Sequence, residues 1–448
     1  NNMGSALRAK GDLDAAIDCC KRALKIRPDY ADAYNNMGNA LKDQGKLEEA
    51  IESYKLVLKI KPDYANAYCN MGNALKENID LDAAIDSYNQ AIKINPNYLD
   101  AYNNKGNALK NMGSIKASIK SYNQALDIKP DNAEVLFNRS IAHLTQRDFK
   151  NGWIQYDCRL EKDSFKDAHS ISNKPKWKPT DGGRVLLWGE QGIGDQVMFA
   201  SLIPDLLLLC SKLIIQVNQR LIPIFERSFS DKITFYSKEQ KVPEELYDAY
   251  IPMGSLPKYL RNTLDSFKSA SQGWLSACSV KTNSLREKLL SDGSETLIGI
   301  SWNSSIIKSG AVNQVVSVTQ LATAVHLPNV KLVNLQYGDV DNELSTLREK
   351  FGIDVVQVSE VDNKEDLDGL AALIMACDEV VSIDNSTIHL AGALGKEAQV
   401  LLPASCHWIW GERRSNSYWY GSVCLHRQAK IGDWSKPMTD LREYVLKV

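Results

Sequence analysis

Two short stretches carry residue types that could hold a phosphate and a reacting group. The first is SIDNSTIHLAGALG at 382–395, where an apolar strand-like run gives way to Asp384, Asn385, Ser386 and Thr387 and then to a helical pattern closing at Gly395. Backbone N–H groups and two hydroxyls at a helix start form a seat for an anion, and His389, one turn in, can reach the same ligand. The same residue types also cap helices that bind nothing, so residue type alone leaves both readings open. The second stretch is WGEQGIGDQV at 188–197. Gly189, Gly192 and Gly194 let the backbone approach a ligand closely, and Asp195 opens a helix. An acid there is favoured by the helix dipole with or without a function. That dipole also lowers a carboxylate's pKa and weakens it as a base, unless burial in a closed cleft opposes it. The glycine spacing matches neither the dinucleotide fingerprint nor a P-loop.

The elements around these turns alternate. A strand at 184–188 precedes the Gly-rich turn, and β-branched runs follow at 213–217 and 233–236. After a charged helix near 283–291 the pattern restarts, with strands at 297–302, 331–336, 354–358, 379–383 and 399–403. Helical patterns at 318–326, 341–350, 366–376 and from 386 separate them. Alternation of this kind predicts parallel sheets, here two Rossmann-like lobes at 184–282 and 283–448, with ligands at the carboxyl ends of the strands. The run FKDAHSISNKPKWKPTDGG at 165–183 mixes Pro, Lys and Gly without periodicity and reads as a linker over 166–183.

Ahead of the linker the chain repeats. NNMGSALRAKG at 1, NNMGNALKDQG at 35, CNMGNALKENI at 69 and NNKGNALKNMG at 103 recur every 34 residues, the period of a helical solenoid. Within a unit the order is Tyr34, Gly38, Ala40, Gly45, Ala50, Tyr54 and Pro62. Small residues fall where antiparallel helices touch, glycine at the turn, and proline where the next connection starts. This resembles the tetratricopeptide repeat. Four full units and a degenerate cap carrying Trp153 and Tyr156 are expected over 1–165, and the opening in mid-unit suggests a solenoid that continues upstream.

One recurrence exceeds what packing asks for. The position two before the glycine is Asn in every unit, at Asn2, Asn36, Asn70, Asn104 and Asn138, and Asn39, Asn73 and Asn107 follow three residues later on the same face. Asn costs up to roughly 0.7 kcal/mol per helical site against Ala, so the repetition wants a reason. One is a ladder of amides that bonds a peptide backbone, similar to the asparagine ladder of O-linked N-acetylglucosamine transferases; the other is an amide that only fills the space between helices. The first 135 residues hold 18 basic and 18 acidic side chains, so recognition there would rest on hydrogen bonds.

The chain as a whole narrows the function classes. Its 448 residues give about three domains' worth of chain, with 44% hydrophobic and 24% charged residues. The charge of −2, from 53 basic and 55 acidic groups, excludes a global field that gathers nucleic acid or anionic lipid. Nine cysteines in unpaired spacing fit a reducing, cytoplasmic setting. The most apolar run, 202–217, is broken by Pro204, Asp205 and Lys212 and is too short to span a bilayer. Asp339-Val340-Asp341 has a metal-type spacing that also recurs at Asp12–Asp14 and Asp80–Asp82 within the repeats, so no metal is expected.

Over 184–434 the chain resembles the ADP-heptose transferase family of heptosyltransferase-like glycosyltransferases, in the form fused behind tetratricopeptide repeats. GIGDQVMFASLIPDL is similar to that family's first-lobe turn, VVSIDNSTIHLAGALGKEAQVLLP to its donor-binding strand and helix, and WGERRSNSYWYGS to its tail. The resemblance implies a two-lobed GT-B enzyme, inverting and metal-independent, using a nucleotide-sugar as co-substrate and no other cofactor. It implies Asp195 as the base, with Gly192 and Gly194 in its turn, and Asp384, Asn385, Ser386, Thr387 and His389 around the diphosphate. Gln336 and Tyr337 would lie near the nucleotide. Val316 stands before Ser317 where the family places Arg, and Lys308 is the candidate replacement cation. The expectation is a glycosyltransferase whose repeats grip a polypeptide acceptor. Transfer to glycans or lipid-linked sugars, and a non-catalytic peptide-binding scaffold, are the alternatives.

Overall fold

The computed structural model describes residues 2–161, 172–270, 272–290, 296–304, 316–411 and 414–446. The chain divides after Ala142 into two compact units. Lys308 lies outside the described residues, as does the side chain of Asn2.

The first unit is built of antiparallel helix pairs: α1 (Asn2–Ala9) with α2 (Leu13–Ile26), α3 (Ala31–Asp43) with α4 (Leu47–Ile60), α5 (Ala65–Glu77) with α6 (Leu81–Ile94), and α7 (Leu99–Asn111) with α8 (Ile115–Ile128). Helix α9 (Ala133–Thr145) opens the fifth. Glycine at the helix contact is a steric requirement. A Cβ on Gly38, Gly72 or Gly106 would sit 2.4–2.7 Å from the ring of Tyr54, Tyr88 or Tyr122. Each of those rings is fully buried, and burying a side chain of this size stabilises by roughly 1.5–3 kcal/mol. The turn inside each pair needs a left-handed residue, supplied by Gly11, Gly45 and Gly113 but by Ile79 (φ 65°) and Arg147 (φ 66°) in the third and fifth units. Those five positions keep the 34-residue period through the degenerate unit.

The second unit begins at His143, not at the end of the expected repeat region at 165. Helix α10 (Phe149–Tyr156) explains the difference, because its aromatic face packs into the α/β core. Trp153 lies edge-on to Trp408 with centroids 5.1 Å apart and donates its indole N–H to the Arg261 carbonyl, while Phe149 packs on Phe267 and Tyr418. The expected linker is also partly structured. Lys176 bridges to Tyr250, and Trp177 is buried.

Two parallel sheets follow. The first orders β1 (Arg184–Trp188), β2 (Lys212–Val217), β3 (Thr234–Ser237) and β4 (Ala249–Pro252) as β3-β2-β1-β4. The second holds β5 (Thr296–Ser301), β6 (Val330–Asn334), β7 (Val355–Val356), β8 (Glu379–Ile383), β9 (Ala398–Leu402) and β10 (Val423–Arg427), ordered β10-β9-β8-β5-β6-β7. The inner strands are apolar on both faces, as sheets covered on both sides must be. Each sheet grows outward from its first strand in one direction and then jumps to the other side, between β1 and β4 and between β5 and β8. Loops diverge at such a reversal and leave a crevice at the carboxyl ends of the strands. The helices that leave these ends are α11 (Ile193–Phe199), after β1, and α19 (Ser386–Ala393), after β8.

Candidate functional site

Both turns singled out in the sequence stand at strand-order reversals, and the fold brings them together. A Cβ on Gly194 would lie 2.8 Å from His389 Cδ2, so α11 and α19 meet with no room for a side chain between them. Trp419 locks this arrangement by donating its indole N–H to the Met198 carbonyl and the Ser201 hydroxyl, both at 3.2 Å. Trp274 donates to the Val197 carbonyl at 3.0 Å.

Asp195 is half-buried in the first turn of α11. Burial pushes its carboxyl above the ordinary aspartate range, against the opposing pull of His407, His389 and the Gly192 N–H, and the Glu190 charge adds to the rise. Burial therefore outweighs the two histidines and the N–H that pull the other way. His389 is 8% exposed, with Nδ1 2.7 Å from the Tyr420 hydroxyl and Nε2 3.6 Å from Asp384 Oδ1. Burial alone would raise Asp384 too, yet His389, His407 and the Trp410 indole hold it below the usual range. Ser386 is half-buried; Thr387 is fully buried, and its hydroxyl has no partner among the described residues.

Two predicted donor contacts are occupied by the protein itself. Asn385 Oδ1 caps α19 by accepting from the N–H groups of Thr387 and Ile388, while its Nδ2 donates to Ser301 Oγ at 2.8 Å and the Asn303 carbonyl at 3.1 Å. Gln336 Oε1 accepts from Ser301 Oγ and the N–H groups of Trp302 and Asn303. These amides tie the ends of β5, β6 and β8 together and shape the crevice wall. Tyr337 is half-buried just beyond β6. Among the described residues no group of His, Cys, Asp or Glu converges as a metal site would.

In the repeats the amides divide their bonding. Asn70 Nδ2 donates to Asn35 Oδ1 at 3.1 Å, Asn138 Nδ2 to Asn103 Oδ1 at 3.0 Å, and Asn104 Nδ2 points to Cys69 Sγ at 3.9 Å, each reaching back one unit. Asn39, Asn73 and Asn107 accept through Oδ1 from the hydroxyls of Tyr54, Tyr88 and Tyr122 at 2.7–2.8 Å. One end of each of these six amides ties helices together, as the space-filling alternative predicts. The carbonyls of Asn70, Asn104 and Asn138 and the NH₂ groups of Asn39, Asn73 and Asn107 have no partner among the described residues. Asn36, in the same row, has an interaction of its own. A separate cavity of about 870 Å³ is lined by Ile17, Met37, Leu41 and Ile51 with a mixed-charge rim, and no ladder amide lines it.

Residues 4–45, 38–78, 80–113 and 106–146 match the TPR repeat family. The N-terminal part of this chain is a tetratricopeptide-repeat region. The chain is also 29% identical over 341 residues to Protein FlbA of Caulobacter vibrioides, a match covering 70% of this chain and 55% of that protein. It is longer than the repeat region and so extends into the α/β unit. The chain spans about half the length of that relative. Among solved structures, MamA is 30% identical and covers 37% of this chain and 96% of its own, with a TM-score of 0.33. The first TPR of Spaghetti (RPAP3), bound to an HSP90 peptide, is 25% identical over 25% of this chain and 89% of its own, at a TM-score of 0.25. Among the described residues no helix is long and apolar enough to cross a membrane.

Reasoning from sequence missed Tyr420, His407 and Glu190 as members of this environment. Tyr420 and His407 lie in tail segments whose register on α19 depends on tertiary packing, and neither carries a local signal. Glu190 sits inside the Gly-rich turn, where only its burial marks it out.

Proposed function

We propose that the protein transfers a sugar from a nucleotide-sugar to a polypeptide held by its tetratricopeptide repeats, by an inverting, metal-independent route. The observation that carries this reading is the contact between the Gly194–Asp195 turn and His389, which joins the crevices of two parallel sheets. Asp195, its carboxyl raised by burial, takes the proton of the acceptor group as that group's heteroatom bonds the anomeric carbon. The bond from that carbon to the diphosphate breaks, and its electron pair leaves with the phosphate. Ser386, His389 and the start of α19 stabilise the growing negative charge. The half-used amides of the repeats support a polypeptide as acceptor, because they offer carbonyl and NH₂ groups in register with a 34-residue unit.

The test is thermal unfolding of the wild type and of a Ser386→Ala, His389→Ala double variant against a panel of nucleoside diphosphates. A ligand at a hundred times its dissociation constant stabilises by about 2.7 kcal/mol. The expected result is a shift with one nucleotide that the double variant loses, with Asp195→Asn keeping the shift and losing turnover. The buried seat, with Thr387 fully covered and Tyr420 already on His389, favours a second reading, a peptide-binding scaffold without transfer. No shift with any nucleotide would select it.

A further inference from the structure

The Gly-rich turn carries a buried carboxylate that the transfer scheme leaves unused. The Glu190 side chain is 1% exposed. Four donors converge on its Oε1: Arg159 Nε at 3.1 Å, Arg159 Nη2 at 2.5 Å, the Gly254 N–H at 3.2 Å and Gln191 Nε2 at 3.3 Å. Its Oε2 is buried with no hydrogen-bond partner among the described residues. An ionised carboxylate accepts at both oxygens, so one half of this group is saturated and the other waits for a donor.

The surroundings are built to hold it there. Arg159, 2% exposed, is itself fixed by the Tyr156 carbonyl, Asp157 Oδ1 and Ser255 Oγ at 3.1–3.2 Å. Asp157 is held in turn by Lys258 at 2.6 Å. Gly254, just past β4, lets the cluster close in, because a Cβ would fall 2.5–2.8 Å from Gln191 Nε2, Arg159 Nη2 and Glu190 Oε1. Glu190 follows β1 and Gly254 follows β4, so the cluster occupies the strand-order reversal of the first sheet, where parallel α/β sheets take ligands. Gln191 is half-buried and makes the longest of the four bonds; all four donors lie on Oε1 and, among the described residues, none on Oε2. The charges balance, with Glu190, Asp157 and Asp195 against Arg159, Lys258 and Lys238. A balanced cluster favours a neutral donor over a cation, whose charge would find no net partner.

We propose that Glu190 Oε2 accepts a hydrogen bond from a neutral acceptor side chain, a hydroxyl or a carboxamide on a polypeptide, and holds it beside the Asp195 turn. Glu190 is then a binding residue for the acceptor and Arg159 the positioning residue behind it. This inference rests on the glycosyl-transfer reading and deepens it by naming the acceptor's chemistry.

The experiment measures equilibrium binding of short fluorescent peptides, each centred on Ser, Asn, Lys or Ala in a common background, to the full chain. Nucleotide-induced thermal shift and sugar transfer are read in parallel. The wild type is expected to bind the Ser- or Asn-centred peptide about tenfold more tightly than the Ala-centred one, since a buried group built to pair a donor rejects the analogue lacking it. Glu190→Gln puts an NH₂ at the waiting position and should erase that preference while leaving the nucleotide shift intact. Glu190→Asp, which keeps the charge but withdraws the oxygen, should do the same if the Gln variant fails to fold. Equal binding of all peptides by the wild type, a preference for Lys, or a preference that survives both substitutions overturns the proposal. A preference lost with Glu190 but accompanied by no transfer from any nucleotide-sugar would sink the transfer reading and leave Glu190 as a peptide-binding residue.

Discussion

Amide side chains serve in both units of this protein, and they are used differently. In the repeats six ladder amides bond with one end among the described residues: Asn73 accepts from Tyr88, for example, and Asn70 donates to Asn35. At the crevice of the second sheet Asn385 and Gln336 bond with both ends. The repeated helix face asks each amide for only one tie, to its own unit's tyrosine or to the preceding unit, and leaves the other end unbonded among the described residues. The crevice is made once, from three diverging strand ends, and each end of its two amides closes a separate loop. A polar residue type therefore says little about binding until its bonds have been counted.

The largest expected effect tests the fully bonded amide. Asn385→Ala removes the α19 cap and leaves the buried N–H groups of Thr387 and Ile388 without their side-chain acceptor, which should cost about 3 kcal/mol. Chemical denaturation of the full chain would measure it, and a loss under about 1 kcal/mol would break the distinction between the two amide classes.

Charges in the second unit follow the same economy, since both Asp157 oxygens are bonded. Burial works to raise Asp157, but Arg159, Lys258 and Ser255 together hold it below the ordinary range. A depressed carboxyl stabilises the fold above its unfolded pKa, near 3.9, and loses that contribution as pH falls through the folded value. Asp157→Asn should thus destabilise by on the order of 2 kcal/mol at pH 7. In stability curves against pH, its gap from wild type should close below about pH 4. A gap that stays constant would show that shape, not charge, is what Asp157 supplies.

Two smaller effects belong to the repeats. Tyr88→Phe deletes a single hydroxyl bond and should cost about 1 kcal/mol, while freeing the Asn73 carbonyl; peptide binding should change without loss of fold. Ile79→Gly should raise stability by about 1 kcal/mol, because a β-branched residue there occupies a left-handed turn conformation that glycine adopts freely. Thermal unfolding reads both, and a destabilised Ile79→Gly would mean that the side chain packs more than the backbone strains.

Much of the fold was legible because period is local. The 34-residue spacing predicted the helix pairs, and Gly38 against Tyr54 met the steric condition that its size implied. Strands β1, β5 and β8 announced themselves as continuous apolar runs, whereas β4 and β10, reading AYIP and VCLHR, are too short and mixed to stand out. The expected boundary at 165 and the break after Ala142 differ for a physical reason: α10 keeps the helical pattern of a repeat, but Phe149 and Trp153 spend their aromatic surface on the α/β core.

By itself the sequence determined the repeat architecture, the alternation that makes parallel sheets, and the two turns able to meet a ligand. These follow from spacing along the chain, through helical and strand periods and the residues that end them. Only the tertiary structure decided that Gly194 abuts His389, that Asn385 and Gln336 bond with both ends, and that one oxygen of Glu190 has no donor among the described residues. Strand order, not strand identity, sets which loops meet at a sheet's reversal, and burial sets what a carboxylate between them can do. Neither is written in any local stretch of residues.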